Sequence, residues 1–157
     1  MPRPSKYFRA GAGAVIADGR GRVLALERAD IHGAWQFPQG GLEDGEKPLD
    51  AVFREIEEET GITRDALKLV AQYPDPLAYE LPVAAQSLKT GMGQVQFWFL
   101  FKTKAPSVDI RLPTHGEFRS ASWLPFDRVL SGVVNFKKPI YRKLRSYFRK
   151  YLRRKKT

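Results

Sequence analysis

The feature that most constrains this chain is a cluster of acid on one turn of an amphipathic segment. The stretch Pro48 to Thr60 opens with a proline, which suits an early helical position, and stops at Gly61, a common C-terminal cap. With each residue advancing about 100° around a helix axis, Glu55, Glu58 and Glu59 at i, i+3 and i+4 bring their carboxylates to one face. Leu49, Val52, Phe53 and Ile56 occupy an adjoining face suited to packing on a sheet, and Glu57 points away. Three carboxylates on one turn repel by about 0.2–0.5 kcal/mol per exposed pair, and by more when desolvated. Hard divalent cations prefer oxygen ligands, and Mg²⁺ is commonly shared between carboxylates and substrate phosphates. A Glu-rich turn also suits a plain solvated face, and the neighbouring residues have to decide between the two readings.

Strand patterns lie near Ala12–Ala17, Arg22–Glu27, Leu67–Tyr73, Ala78–Leu81, Val95–Thr103 and Arg119–Leu124, by alternation and by enrichment in Val, Tyr, Phe and Trp. Asp18-Gly19-Arg20-Gly21 reads as a turn joining the first two. A second helix is predicted from about Lys138 to Arg154, with Asn135 as a possible cap. Strands and helices mixed in 157 residues predict one α/β domain over 1–157, with helices on both faces of a sheet. The chain has no cysteine, which excludes disulfide, zinc-thiolate and iron–sulfur chemistry.

The formal net charge of +10 is unevenly placed. Residues 1–136 carry 16 Lys+Arg and 17 Asp+Glu, whereas residues 137–157 carry 11 Lys+Arg and no acid. The body is near neutral and the excess belongs to a basic amphipathic C-terminal helix and tail, 137–157. There Ile140, Leu144, Tyr147, Phe148, Tyr151 and Leu152 recur at helical spacing among arginines and lysines. Its apolar side is expected to complete the sandwich. Its basic side suits a polyanion such as RNA, with an anionic membrane surface as the rival partner. The longest strongly apolar run, Phe97 to Phe101, falls far short of the ~20 residues of a spanning helix. Arg3, Lys6 and Arg9 ahead of Ala10–Ala17 imitate a signal peptide only faintly, because Gly11 and Gly13 interrupt the run. A cytoplasmic protein without membrane contact is therefore expected.

Around the acidic helix, Gly40, Glu46, Arg54, Glu55, Ile56, Glu58, Glu59, Gly61 and Ile62 match every defined position of G-x5-E-x7-R-E-U-x-E-E-x-G-U, with U aliphatic. This segment resembles the signature of the Nudix hydrolase family. The resemblance implies a Nudix-type α/β/α sandwich with a mixed β-sheet, and a loop–helix–loop that holds Mg²⁺, or Mn²⁺ in its place, against a diphosphate. Carried over by position, it implies Glu55, Glu58 and Glu59 as metal ligands, with the Gly40 carbonyl as a further ligand. Arg54 and Glu46 are then partners that orient the acids, and Glu55 and Glu58 serve the chemistry of water attack at phosphorus.

Trp35-Gln36-Phe37-Pro38-Gln39-Gly40-Gly41 is similar to the WQFPQGG stretch of bacterial RNA pyrophosphohydrolases and related dinucleoside polyphosphate hydrolases. Weaker matches continue through Tyr79-Glu80-Leu81-Pro82, Gln94, Phe97-Trp98-Phe99, Glu117-Phe118 and Val134-Asn135-Phe136-Lys137. This narrower resemblance implies removal of pyrophosphate from 5′-triphosphorylated RNA, which promotes mRNA decay. Alternatives are hydrolysis of diadenosine polyphosphates or other nucleotides with a polyphosphate chain, and a non-catalytic RNA-binding scaffold. It implies Glu117 as a fourth carboxylate ligand from a loop. Arg9 and Arg28 are implied for phosphates or first bases, and Gln39, Tyr79 and Gln94 as weaker substrate contacts. Val134 and Phe136 are implied as an apolar platform for a base, although Phe136 also suits a hydrophobic staple ahead of the terminal helix. His32 and His115 have no metal-ligand spacing and read as loop residues. Nothing in the sequence selects between a monomer and a homodimer.

Overall fold

The computed structural model describes residues 7–153. Eight strands form one mixed sheet: β1 Phe8–Ala17, β2 Arg22–Arg28, β3 Trp35–Gln36, β4 Gln39–Gly41, β5 Leu67–Gln72, β6 Leu77–Glu80, β7 Gly93–Thr103 and β8 Phe118–Pro125. Three helices, α1 Pro48–Thr60, α2 Phe126–Gly132 and α3 Lys138–Phe148, cover it.

Side-chain alternation sorts the strand residues into two cores. Ala12, Ala14 and Ile16 of β1, Leu24 of β2, and Phe99 and Phe101 of β7 bury against Val52 and Ile56 of α1. Val15, Ala25, Trp98 and Leu100 face the other way, toward Phe126 and Val129 of α2 and Ile140, Tyr141, Leu144 and Phe148 of α3. The result is an α/β/α sandwich, as the sequence predicts.

The sheet's centre positions the site. One edge of β1 pairs in parallel with β7 along its whole length, and one edge of β2 pairs with β8 from Arg22 to Arg28. On their remaining edges β1 and β2 meet at Ala17 and Val23, beside the Asp18–Gly21 turn, and then diverge. The gap is filled by Trp35–Gly41, with β3 pairing to β2 at Leu26 and Glu27, and β4 pairing to β1 at Gly11, Ala12 and Gly13. Phe37 at the middle of this wedge is fully buried. Its ring stacks on Tyr141 of α3 at 4.6 Å and 25°, and its N–H donates to the Tyr141 hydroxyl at 2.9 Å.

Helix α1 has the predicted bounds. Gly61 sits at φ 75°, a left-handed conformation that favours glycine, and its N–H donates to the Glu57 carbonyl at 2.9 Å. The strands β3 and β4 and the helix α2 are not anticipated by the sequence pattern. The two strands are only two and three residues long, and α2 spans two turns begun by Pro125. The terminal helix begins at Lys138 as expected, but its cap and its end differ. Asn135 is not its cap: a 3-10 turn over Asn135–Lys137 precedes it, and Lys137 stands at the cap position with no side-chain capping bond. The α-helix ends at Phe148 and tightens into a 3-10 turn over Arg149–Tyr151, which sets Tyr151 and Leu152 beside the β1–β2 turn at Gly19 and Gly21. The predicted end at Arg154 lies outside the described residues. No helix among the described residues is long and apolar enough to cross a membrane.

Replacing Tyr141 by Phe removes the acceptor for the buried Phe37 N–H, so Tyr141→Phe is expected to lower stability by about 1–3 kcal/mol. Urea unfolding of the two proteins checks this.

Candidate active site

The floor of the site is the backbone of β4. A Cβ on Gly40 would lie 2.0 Å from the Glu55 carboxyl carbon, so this position admits only glycine while Glu55 keeps its place. Held against this backbone, α1 presents its acids next to the wedge between β1 and β2.

Arg54 organises them. Its Nε and Nη2 donate to the two Glu46 oxygens at 2.8 Å each, and Nη2 also donates to the Gly41 carbonyl at 2.9 Å. Its Nη1 donates to Glu55 at 2.8 Å and more loosely to Glu58 at 3.3 Å. The guanidinium thus spends its donor fork on one loop and one helix face. It holds the Glu46 carboxyl down to about 2, helped by the backbone N–H of Glu43. The Arg54 proton is correspondingly held more tightly than usual, chiefly by its hydrogen bonds to Glu46.

The four helix glutamates lie in graded environments. Glu57 and Glu58 are exposed, Glu55 is half-buried, and Glu59 is turned furthest inward. Burial raises the Glu55 carboxyl above its usual range, opposed by Arg54. Burial, and then the charges of Glu55 and Glu117, push Glu59 up to about 9. One Glu59 oxygen, Oε2, is buried with no hydrogen-bond partner among the described residues. An unpartnered buried carboxylate oxygen beside a second and a third acid suits a hard divalent cation. Among the described residues no three acidic or imidazole groups close around a common point. Arg54 Nη1 is shared between Glu55 and Glu58.

Next to β4 opens a cavity of about 680 Å³. Its walls include Arg9 of β1, Arg28 of β2, Tyr79 of β6, Gln94 of β7, Gln39 of β4 and Phe136, with Glu117 at the rim. Seven predicted residues from seven separate segments therefore meet in one cleft. The helix glutamates are not on its walls. They meet it through β4, whose Gln39 backbone N–H favours the charged form of Glu59, and through Glu117, whose charge acts on both Glu55 and Glu59. Val134 packs on the α2/α3 core and does not line the cleft. Phe136 does, tilted against the Tyr79 ring at 5.4 Å, and it also packs on the core that holds Ile140 and Tyr141 of α3. His32 and His115 are exposed loop residues, and His115 adopts φ 60°.

Three residues at or behind the cleft are not anticipated by the sequence. Gln96, 1% exposed and not on the cleft wall, donates to Gln39 at 2.6 Å and Gln94 at 3.0 Å, which ties three amides together. Its i, i+2 spacing from Gln94 on a strand was the available signal. Asp30 takes a two-point ion pair from Arg28 at 2.7 and 2.9 Å. Lys137, next to Phe136, is 7% exposed, with Nζ 5.5 Å from the centre of the Tyr79 ring. Burial and the Arg28 charge push it down to about 8, against the pull of Glu59 and Glu117. Its burial has no local sequence mark, because it depends on how the turn ahead of α3 meets β6.

The described residues thus form an α/β/α sandwich with an Arg-bound acidic helix face behind a cationic, aromatic-walled cleft. The NUDIX domain matches residues 7–144. An RNA pyrophosphohydrolase from Erythrobacter litoralis is 38% identical, covering 90% of this chain and 91% of its own. A second, from Rhodospirillum rubrum, is 40% identical over 85% of this chain and 82% of its own. The structure of the E. coli dihydroneopterin triphosphate pyrophosphohydrolase superposes with a TM-score of 0.70 at 22% identity, over 88% of this chain and 97% of that one, and so shares the fold. The chain belongs to the Nudix family, whose hydrolases generally work with a divalent metal, typically Mg²⁺.

Glu59 also gives the metal-free protein a pH signature. Its carboxyl binds a proton up to about 9 in the folded state, against 4.5 as the ordinary value. Between these values unfolding releases a proton, so this group's contribution makes stability fall as pH rises from about 5 to 9. In EDTA, Glu59→Gln is expected to raise the unfolding temperature at pH 8 and to leave it nearly unchanged at pH 4.5. Thermal scans across that range measure it.

Proposed function

We propose that this protein is a Mg²⁺-dependent RNA 5′-pyrophosphohydrolase, with Mn²⁺ able to substitute, working as one domain over 1–157. The observation that carries this reading is the junction of two unlike surfaces at β4: an acidic helix face on one side, and a cleft with Arg9, Arg28 and the Phe136–Tyr79 aromatic pair on the other. A nucleotide at the end of an RNA has the matching halves, a base that stacks and a polyphosphate that needs positive charge. The relatives from Erythrobacter and Rhodospirillum, which carry the name RNA pyrophosphohydrolase, support the same substrate.

Glu55, Glu58, Glu59 and Glu117, with the Gly40 carbonyl, would hold the metal, which supplies positive charge at the phosphate oxygens and acidifies water. Arg54 and Glu46 hold the acids in register, so the helix face does not spring apart by repulsion. Arg9 and Arg28 orient the phosphate chain, and Gln39, Gln94 and Tyr79 shape the wall where the first nucleotide rests. One water adds at phosphorus, its proton passes to a glutamate of the cluster, and pyrophosphate departs from a 5′-monophosphate end.

Incubating 5′-triphosphorylated RNA with the protein and Mg²⁺ should yield 5′-monophosphate ends and pyrophosphate. Efficient cleavage of diadenosine polyphosphates with no action on RNA would instead make it a dinucleoside polyphosphate hydrolase. Glu58→Gln is expected to lose turnover while keeping RNA binding; unchanged turnover would overturn the metal assignment and favour a scaffold role. Arg54→Ala, which frees Glu46 and Glu55, should weaken Mg²⁺ affinity by about 10–100-fold, read by metal titration of activity.

A further inference from the structure

We infer that the exposed side of α3, together with the connection between β5 and β6, forms a track for the single-stranded RNA that follows the 5′ end in the cleft. This rests on the pyrophosphohydrolase reading and adds a second contact surface to it. The seam between α3 and the β5–β6 segment is closed by an aromatic pair at each end. At the cleft, Phe136 lies against Tyr79; at the far end, Tyr147 lies edge-on to Tyr73 at 5.1 Å. Eleven residues of helical rise separate Phe136 from Tyr147, about 16 Å. Beside the far pair, Arg142, Lys143, Ser146 and both tyrosines line an open depression of about 480 Å³.

The charge on this side is uncompensated. Arg145 pairs with Asp127 at 2.6 Å on the flank that faces α2. Arg142, Lys143, Arg149 and Lys150 make no ion pair with a described residue. Lys150 instead lies 5.8 Å from the ring centre of Tyr147 and 5.1 Å from that of Tyr151. Exposed tyrosine set among unpaired cations is the chemistry of a stacking platform on a phosphate-attracting groove, and it tolerates any base.

The same helix does not suit a bilayer surface. A basic amphipathic helix binds membrane by inserting its apolar face. Here that face, Ile140, Tyr141, Leu144 and Phe148, is at most 3% exposed and is spent on the protein core. Only the cationic side remains for a partner, and a polyanionic strand already anchored in the cleft at the start of α3 fits it by charge and by continuity.

The test compares wild type, Arg142→Ser/Lys143→Ser, Tyr147→Ala and Tyr147→Phe. Binding is measured with an unstructured oligoribonucleotide bearing a 5′-hydroxyl, which needs no hydrolysis, and turnover with triphosphorylated RNA and with diadenosine tetraphosphate. For the double variant, the slope of log affinity against log salt should become shallower by about 1.4, at about 0.7 per lost phosphate contact on a single strand. Tyr147→Ala should weaken oligoribonucleotide binding about tenfold, and Tyr147→Phe should retain it. Diadenosine tetraphosphate hydrolysis should stay at the wild-type level in all three. An unchanged salt slope, or equal losses on the dinucleotide substrate, overturns the track. Loss of binding to phosphatidylserine vesicles with RNA binding intact overturns it in favour of a membrane surface. Failure of wild type to cleave triphosphorylated RNA strikes the proposed function alone, since the 5′-hydroxyl binding measurement does not depend on it.

Discussion

The site depends on the divergence of β1 from β2. Each strand has one edge fully occupied, β1 by β7 and β2 by β8, and after Ala17 and Val23 their facing edges separate. Two strands drawn apart inside a sheet leave backbone donors and acceptors that have to be satisfied. The Trp35–Gly41 wedge satisfies them from both sides, and in doing so it threads a stretch of backbone through the middle of the molecule. Phe37 locks that stretch to α3 through Tyr141, and Gly40 presses it onto Glu55. A single segment thereby connects the core beneath α3, the acidic face of α1 and the cleft.

The acids of α1 show how repulsion is managed by neighbours rather than by distance. Arg54 has donors enough to hold Glu46, Glu55, Glu58 and the Gly41 carbonyl at once. Glu59 lies beyond its reach, keeps an oxygen without a partner among the described residues, and has its proton affinity raised by burial and by Glu55 and Glu117. The least compensated carboxylate is thus also the most desolvated one, which is the arrangement that gains most from a cation. Across β4 the balance inverts, with Arg9, Arg28 and Lys137 facing the cleft.

Much of this was legible in the sequence. The bounds of α1 and the inward turn of Val52 and Ile56 follow from helical period and from Pro48 and Gly61 at its ends. The long strands follow from alternation. The short elements do not: β3 and β4 exist because of the partners on either side, and a run of two or three residues carries no period. The C-terminal helix shows the same limit. Its amphipathic pattern placed Ile140, Leu144 and Phe148 in the core correctly but not Tyr147, which stays exposed, and its end is set by the fold-back of Tyr151 and Leu152, where tertiary contact overrides local preference.

Local spacing within continuous segments thus determined the acidic helix face, the segregation of basic charge to the last 21 residues, and the α/β character of the chain. Only the tertiary structure decided which members of the site meet. It set Phe136 on Tyr79 and Val134 in the core, buried Lys137, joined Gln96 to Gln39 and Gln94, and brought Glu117 to the charge of Glu59. The physical reason is that a helix brings residues three and four apart together by its own geometry. Residues from different strands meet only when edge pairing and core packing are complete, and no period in the sequence encodes that closure.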